Sequence, residues 1–75
     1  MPAVGEHVNV SDLMDIHGIY IYLKDFKPLM GGRIGEGTVA SINGTPSFED
    51  LGLTRKDLYC VYNPIESDEN LDFED

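Results

Sequence analysis

Tryptophan is absent from this chain, cysteine occurs once, histidine twice, and five lysines and arginines stand against 14 aspartates and glutamates. Each shortage excludes something. Cys60 alone cannot close an internal disulfide, and no CxxC or Cys/His pair stands at zinc spacing, so the fold has to rest on packing. No stretch approaches the roughly 20 apolar residues that a membrane span needs. The opening residues, MPAVGEH, contain neither a basic nor an apolar leader region. These absences predict a soluble protein of a reducing, cytoplasmic or otherwise intracellular setting. The shortage of bases gives a formal net charge of −9. Nucleic acid and anionic membrane are both held by clustered Lys and Arg, which release counterions or neutralise head groups. Here the bases cluster only as Arg55-Lys56, between Asp50 and Asp57. The charge therefore predicts no direct nucleic-acid binding and no membrane association, and favours a protein partner with a basic surface.

The charge that is present is unevenly placed. Residues 66–75 hold six of the 14 acids and no base, leaving eight acids against five bases, a net of −3, in residues 1–65. The chain reads as two parts: a small domain over 1–65 and an acidic C-terminal tail over 66–75. A domain this small buries only about 60% of the surface its unfolded chain exposes, which leaves no room for a large enclosed catalytic cleft.

Within the body, GIYIYLKDF (18–26) alternates, with Ile19, Ile21 and Leu23 on one face and Tyr20, Tyr22 and Lys24 on the other, the pattern of a strand. A shorter alternation over residues 6–10 turns Val8 and Val10 inward, and Ser11 stands where it would cap a helical turn. Residues 37–42 read as a further strand closed by Asn43-Gly44, which accepts the positive φ of a tight turn. Ser47 predicts a capped turn of helix, and Thr54 with Asp57 a capping box leading into a last strand, 58–62, which Asn63-Pro64 ends. Four short strands with small helical turns predict a mainly β protein: a small antiparallel sheet or partly open SH3-like or OB-like barrel.

Residues 34–38, within GGRIGEGTVA (31–40), resemble the glycine-rich loop of protein kinases, but a kinase also needs a strand lysine, a catalytic loop and a metal-binding Asp over a much longer chain. A strand-entry loop with glycines at positive φ, and Arg33 at its tip, is the simpler reading. FEDLGL (48–53) resembles a stretch of acyl carrier proteins, yet Thr54-Arg55-Lys56-Asp57 follows it directly, with no serine there to carry a prosthetic group. His7 and His17 could meet only if two strands aligned, and nothing in their spacing specifies a metal. Cys60 lies in an apolar strand, where burial would make it an inert core thiol. No nucleophile elbow or triad pattern accompanies the Ser, His and Asp residues, and Asp12 with Asp15 reads as helix-end charge. The sequence thus predicts no enzyme, no cofactor and no metal site.

What remains is a contact surface. Tyr20 and Tyr22 share one strand face, and tyrosine gives large contact area at small entropic cost. In the tail, Glu66, Asp68, Glu69, Asp72, Glu74 and Asp75 are interrupted by Leu71 and Phe73 at alternate positions, the composition of a segment that orders on a basic, hydrophobically pocketed partner. Fully extended, ten residues span about 33 Å, one charge per roughly 5.5 Å, against one per about 1.7 Å for duplex DNA. The tail alone is too sparse to be a nucleic-acid mimic. The functional expectation is a small acidic protein-binding protein that inhibits or modulates its partner, as virus-encoded inhibitors of host machinery do by analogy. The alternative is a structural or assembly subunit whose exposed strand edge joins a larger complex, with a solubilising tail.

Overall fold

A computed structural model describes residues 1–32 and 34–65. Arg33 and the tail residues Glu66, Asp68, Glu69, Leu71, Asp72, Phe73, Glu74 and Asp75 lie outside the described residues. The chain forms four antiparallel strands, β1 (His7–Asn9), β2 (Tyr20–Pro28), β3 (Gly35–Ile42) and β4 (Tyr59–Tyr62), with 3₁₀ turns at Val10–Leu13 and Arg55–Asp57 and one turn of helix, α1 (Phe48–Leu51). The protein is mainly β, and the strands make one open sheet in the order β1-β3-β2-β4. Among the described residues no ladder joins β1 to β4, so the two ends of the sheet remain edges.

Register follows from the alternation in β2. Ile21 and Leu23 sit opposite Ile42 and Val39 of β3 on one side and Val61 and Tyr59 of β4 on the other. The core face collects Val8, Ile21, Leu23, Val39 and Val61, and the 3₁₀ turn lays Val10 and Leu13 over them, with Ile16, Ile19, Phe26 and Ile42 packed around the rim. Here the local caps differ from the sequence expectation: Asn9 rather than Ser11 precedes the turn, and Asn9 makes no side-chain capping bond. Burial of Val10 and Leu13, at 2% exposure each, holds this turn in place of a cap.

Two irregularities adjust the register. Between Tyr22 and Leu23 the β3 partner moves by two residues, leaving Ala40 as the extra one. Between Lys24 and Lys27 the surplus residue is Asp25, at φ 56, a conformation that Asp tolerates better than most. The second bulge returns Phe26 to the core face, over Gly35 and Gly37. A Cβ on Gly35 would overlap the Phe26 ring and lie 2.6 Å from the Lys27 carbonyl oxygen. Phe26 in turn stacks on Tyr59, ring centroids 3.9 Å apart. The glycine-rich segment is thus the β2–β3 connection and the bed of an aromatic stack.

Turn chemistry fixes the remaining corners. Asn43 and Gly44 take φ values of 55 and 86, the type I′ geometry of a two-residue hairpin, and Ile42 and Thr45 exchange backbone hydrogen bonds across it. Ser47 Oγ accepts from Asp50 N at 3.2 Å to cap α1, and Asp57 Oδ2 accepts from Thr54 N and Oγ1 at 3.1 and 2.9 Å to close the capping box. After β4 the chain folds back on the first turn. Asn63 Nδ2 donates to the carbonyls of Leu13 and Ile16, at 2.9 and 2.8 Å, while Gly18 N donates to Asn63 O at 2.7 Å.

Candidate interaction face and open edge

The outer face of the sheet carries the tyrosines. Tyr20 lies opposite Tyr62, and their rings stack with centroids 4.1 Å apart and planes 13° from parallel. Both rings are exposed, Tyr20 at 44% and Tyr62 at 39%. Tyr22 continues the row with its centroid 6.4 Å from that of Tyr20. Its surroundings differ, however: Phe48 of α1 meets it edge-on at 4.9 Å, and Tyr22 is only 9% exposed. The expected exposed pair Tyr20 and Tyr22 is therefore corrected to Tyr20 and Tyr62, because the Ser47-capped helix folds over Tyr22. Alternation places Tyr20 and Tyr22 on the same face, but the returning chain covers one and not the other. Burial raises the Tyr22 hydroxyl pKa above its ordinary value, with the Cys60 thiol acting in the same direction and the Arg55 guanidinium opposing it.

Cys60 also departs from expectation. It is exposed and not a core thiol. Across the outer face Ser41, Tyr22 and Cys60 form one row, from the inner strand β3 through β2 to the edge strand β4. Exposure follows that order: Ser41 is fully buried, Tyr22 nearly so, and Cys60 open. Ser41 Oγ finds no hydrogen-bond partner among the described residues. A hydrophobic four-residue strand suggests burial, but only one of its residues, Val61, is buried in this edge position.

The two histidines do not meet as a site. His7 Nε2 lies 3.2 Å from Glu36 Oε1 across β1 and β3. His17 Nδ1 donates to the Pro64 carbonyl at 3.0 Å, helping to hold the segment after β4. Among the described residues no three His, Cys, Asp or Glu side chains converge as a metal ligand set, and no helix is long and apolar enough to cross a membrane.

Backbone direction completes the geometry of the β4 edge. Asn43 N donates to Tyr20 O, so the backbone groups of Tyr20, and by alternation Tyr22, face β3. Those of Ile21 and Leu23 then face β4 and meet Val61 and Tyr59. Cys60 and Tyr62 are left with their N–H and C=O groups directed away from the sheet, and among the described residues no backbone or side-chain group meets them. Sequence reasoning found the strand but not its position at the rim, which depends on a pairing partner nearly 40 residues away.

Comparison with known proteins adds no relative to this geometry: no family model, no curated protein and no solved structure matches the chain.

Proposed function

We propose that this chain is a small acidic, non-catalytic protein-binding protein that occupies a basic surface of its partner, of the kind that otherwise holds nucleic acid, and so inhibits or modulates it. The observation that carries this reading is the exposed Tyr20–Tyr62 stack on a body whose chain bears a net charge of −9. Two rigid, amphipathic rings supply contact area at small entropic cost, and their faces accept Lys or Arg side chains by cation–π attraction. The acidic residues 66–75 supply long-range attraction, which acts mainly on the rate of encounter. In this reading the sheet curls in a partly open SH3-like or OB-like outline that presents the tyrosines on one face.

The test is binding kinetics with a captured basic partner, using the full chain and a full-length variant whose six tail acids are replaced by Asn and Gln. Slower association and a flatter salt dependence in the variant support the reading; unchanged kinetics overturn the role of the tail. Tyr20→Ala separates the body contact, since its loss should speed dissociation and leave the salt dependence in place.

A second reading, an assembly subunit with a solubilising tail, is favoured by one specific observation: the outward backbone groups of Cys60 and Tyr62 on the edge strand β4. Edge strands of this kind pair with other chains unless something blocks them.

A further inference from the structure

From this edge we infer that β4 pairs antiparallel with β4 of a second copy of the chain, joining two four-stranded sheets into one of eight strands about a two-fold axis near Val61. The inference deepens the assembly reading by giving it a definite partner, and it does not rest on the tail's action on a basic protein.

A bulge, a charged side chain and a proline, three features that protect an edge, are all missing within β4, although the strand is only four residues long. Its four residues pair with β2 in unbroken register, without a bulge. No charged residue occurs from Leu58 through Ile65, and the first proline, Pro64, lies beyond the strand. Lysine, proline and bulges are the usual means by which edges are kept apart. The opposite edge, β1, is only three residues long and carries the His7–Glu36 contact across to β3.

Self-pairing also satisfies the strand's own geometry. In an antiparallel ladder centred on Val61, Cys60 of one copy faces Tyr62 of the other, and the reverse holds by symmetry. All four residues so paired are those whose backbone groups point outward. A two-fold contact of this type is closed and uses the same surface on both copies, so it ends at a dimer. Val61, at 6% exposure, brings the core face to the seam, while Tyr62 brings the outer aromatic row to it.

The charged residues that bracket β4 in the sequence are Asp57 before it and Glu66 after it. The strand between them is neutral, so the net charge of each copy is not concentrated at the seam.

The experiment uses the full chain under reducing conditions, which keeps a disulfide through exposed Cys60 from being counted as assembly. Sedimentation equilibrium from micromolar to millimolar concentration should show a reversible monomer–dimer equilibrium. Amide exchange followed over the same range should slow by about tenfold or more at Cys60 and Tyr62 as dimer forms, with Tyr59 and Val61, already paired to β2, unchanged. Cys60→Pro removes one outward N–H and leaves the β2 ladder its donors, so it should hold the chain monomeric. The wild-type exchange pattern decides the question even if that variant does not fold. A monomer at every concentration overturns the inference, as does a dimer that leaves the Cys60 and Tyr62 amides unprotected. Protection that appears only when a different protein is added also overturns it, by giving the edge another occupant. None of these results alters the kinetic test of the acidic tail.

Discussion

Gly35 shows how little space separates the β2 and β3 backbones from the Phe26 ring. Because a Cβ there would overlap that ring and crowd the Lys27 carbonyl, Gly35→Ala should destabilise the fold by about 1–3 kcal/mol, the usual cost of overpacking, measurable by urea denaturation. Ser41 predicts the opposite sign. Its hydroxyl is fully buried and has no partner among the described residues, so Ser41→Ala should leave stability unchanged or raise it by about 1 kcal/mol, since an unmet polar group opposes burial. A clear loss on this substitution would mean the hydroxyl has a partner. Tyr22 carries a pH prediction. Its folded-state pKa is raised, chiefly by burial, so the folded protein keeps the phenol proton more tightly than the unfolded chain. Stability is then fully present below the ordinary tyrosine pKa of about 10 and is lost as pH rises above it. Ultraviolet titration should find a tyrosine ionising above the ordinary range, and Tyr22→Phe should abolish that late step.

At the scale of elements, short strands and single turns are held by side chains that bond backbone. Asn63 is the most heavily used, donating to two carbonyls of the Leu13–Ile16 turn while its own carbonyl accepts from Gly18. Asn63→Ala would leave the Ile16 carbonyl without its Asn63 donor and the Leu13 carbonyl with the Ile16 N–H alone, so a loss of about 1–3 kcal/mol is expected in chemical denaturation. The Thr54–Asp57 box gives a second pH dependence. The Thr54 N–H and hydroxyl hold the Asp57 carboxyl below its ordinary value. The contribution is therefore present above the unfolded carboxylate pKa of about 3.9 and is lost as pH falls through the lower folded value. Proton-detected titration should place Asp57 below the ordinary carboxylate range, and Thr54→Val, which removes the hydroxyl and keeps the N–H donor, should move it only part of the way back. These elements were legible in the sequence because their causes are local: Ser47, Asn43-Gly44 and Thr54–Asp57 each act within four residues. The 3₁₀ turn at Val10–Leu13 was less so, since its cause is burial of Val10 and Leu13 against strands far along the chain.

The molecule as a whole combines an open sheet with an excess of acid. A net charge of −9 with a pI near 4.3 makes association with any basic partner salt-sensitive, and among the described residues β4 is an edge of the sheet. The two proposals therefore respond differently to ionic strength. Binding to a basic surface should weaken steeply as salt screens the charges, whereas pairing through the uncharged β4 edge should persist, because screening also removes the general repulsion between two acidic copies. Measuring both at low and high salt separates them on one sample.

Taken alone, the amino-acid order determined which side chains share a face, where the chain turns, and a net charge of −9. Period-two alternation and capping residues act over a few positions and need no knowledge of the rest. Only the tertiary structure decided that Phe48 covers Tyr22, that Tyr62 takes its place in the exposed stack, and that Cys60 lies at a rim. Those outcomes follow from the order β1-β3-β2-β4, which is set by long-range pairing and so leaves no mark on the local pattern: a residue's face is written in its neighbours, but its distance from the edge is not.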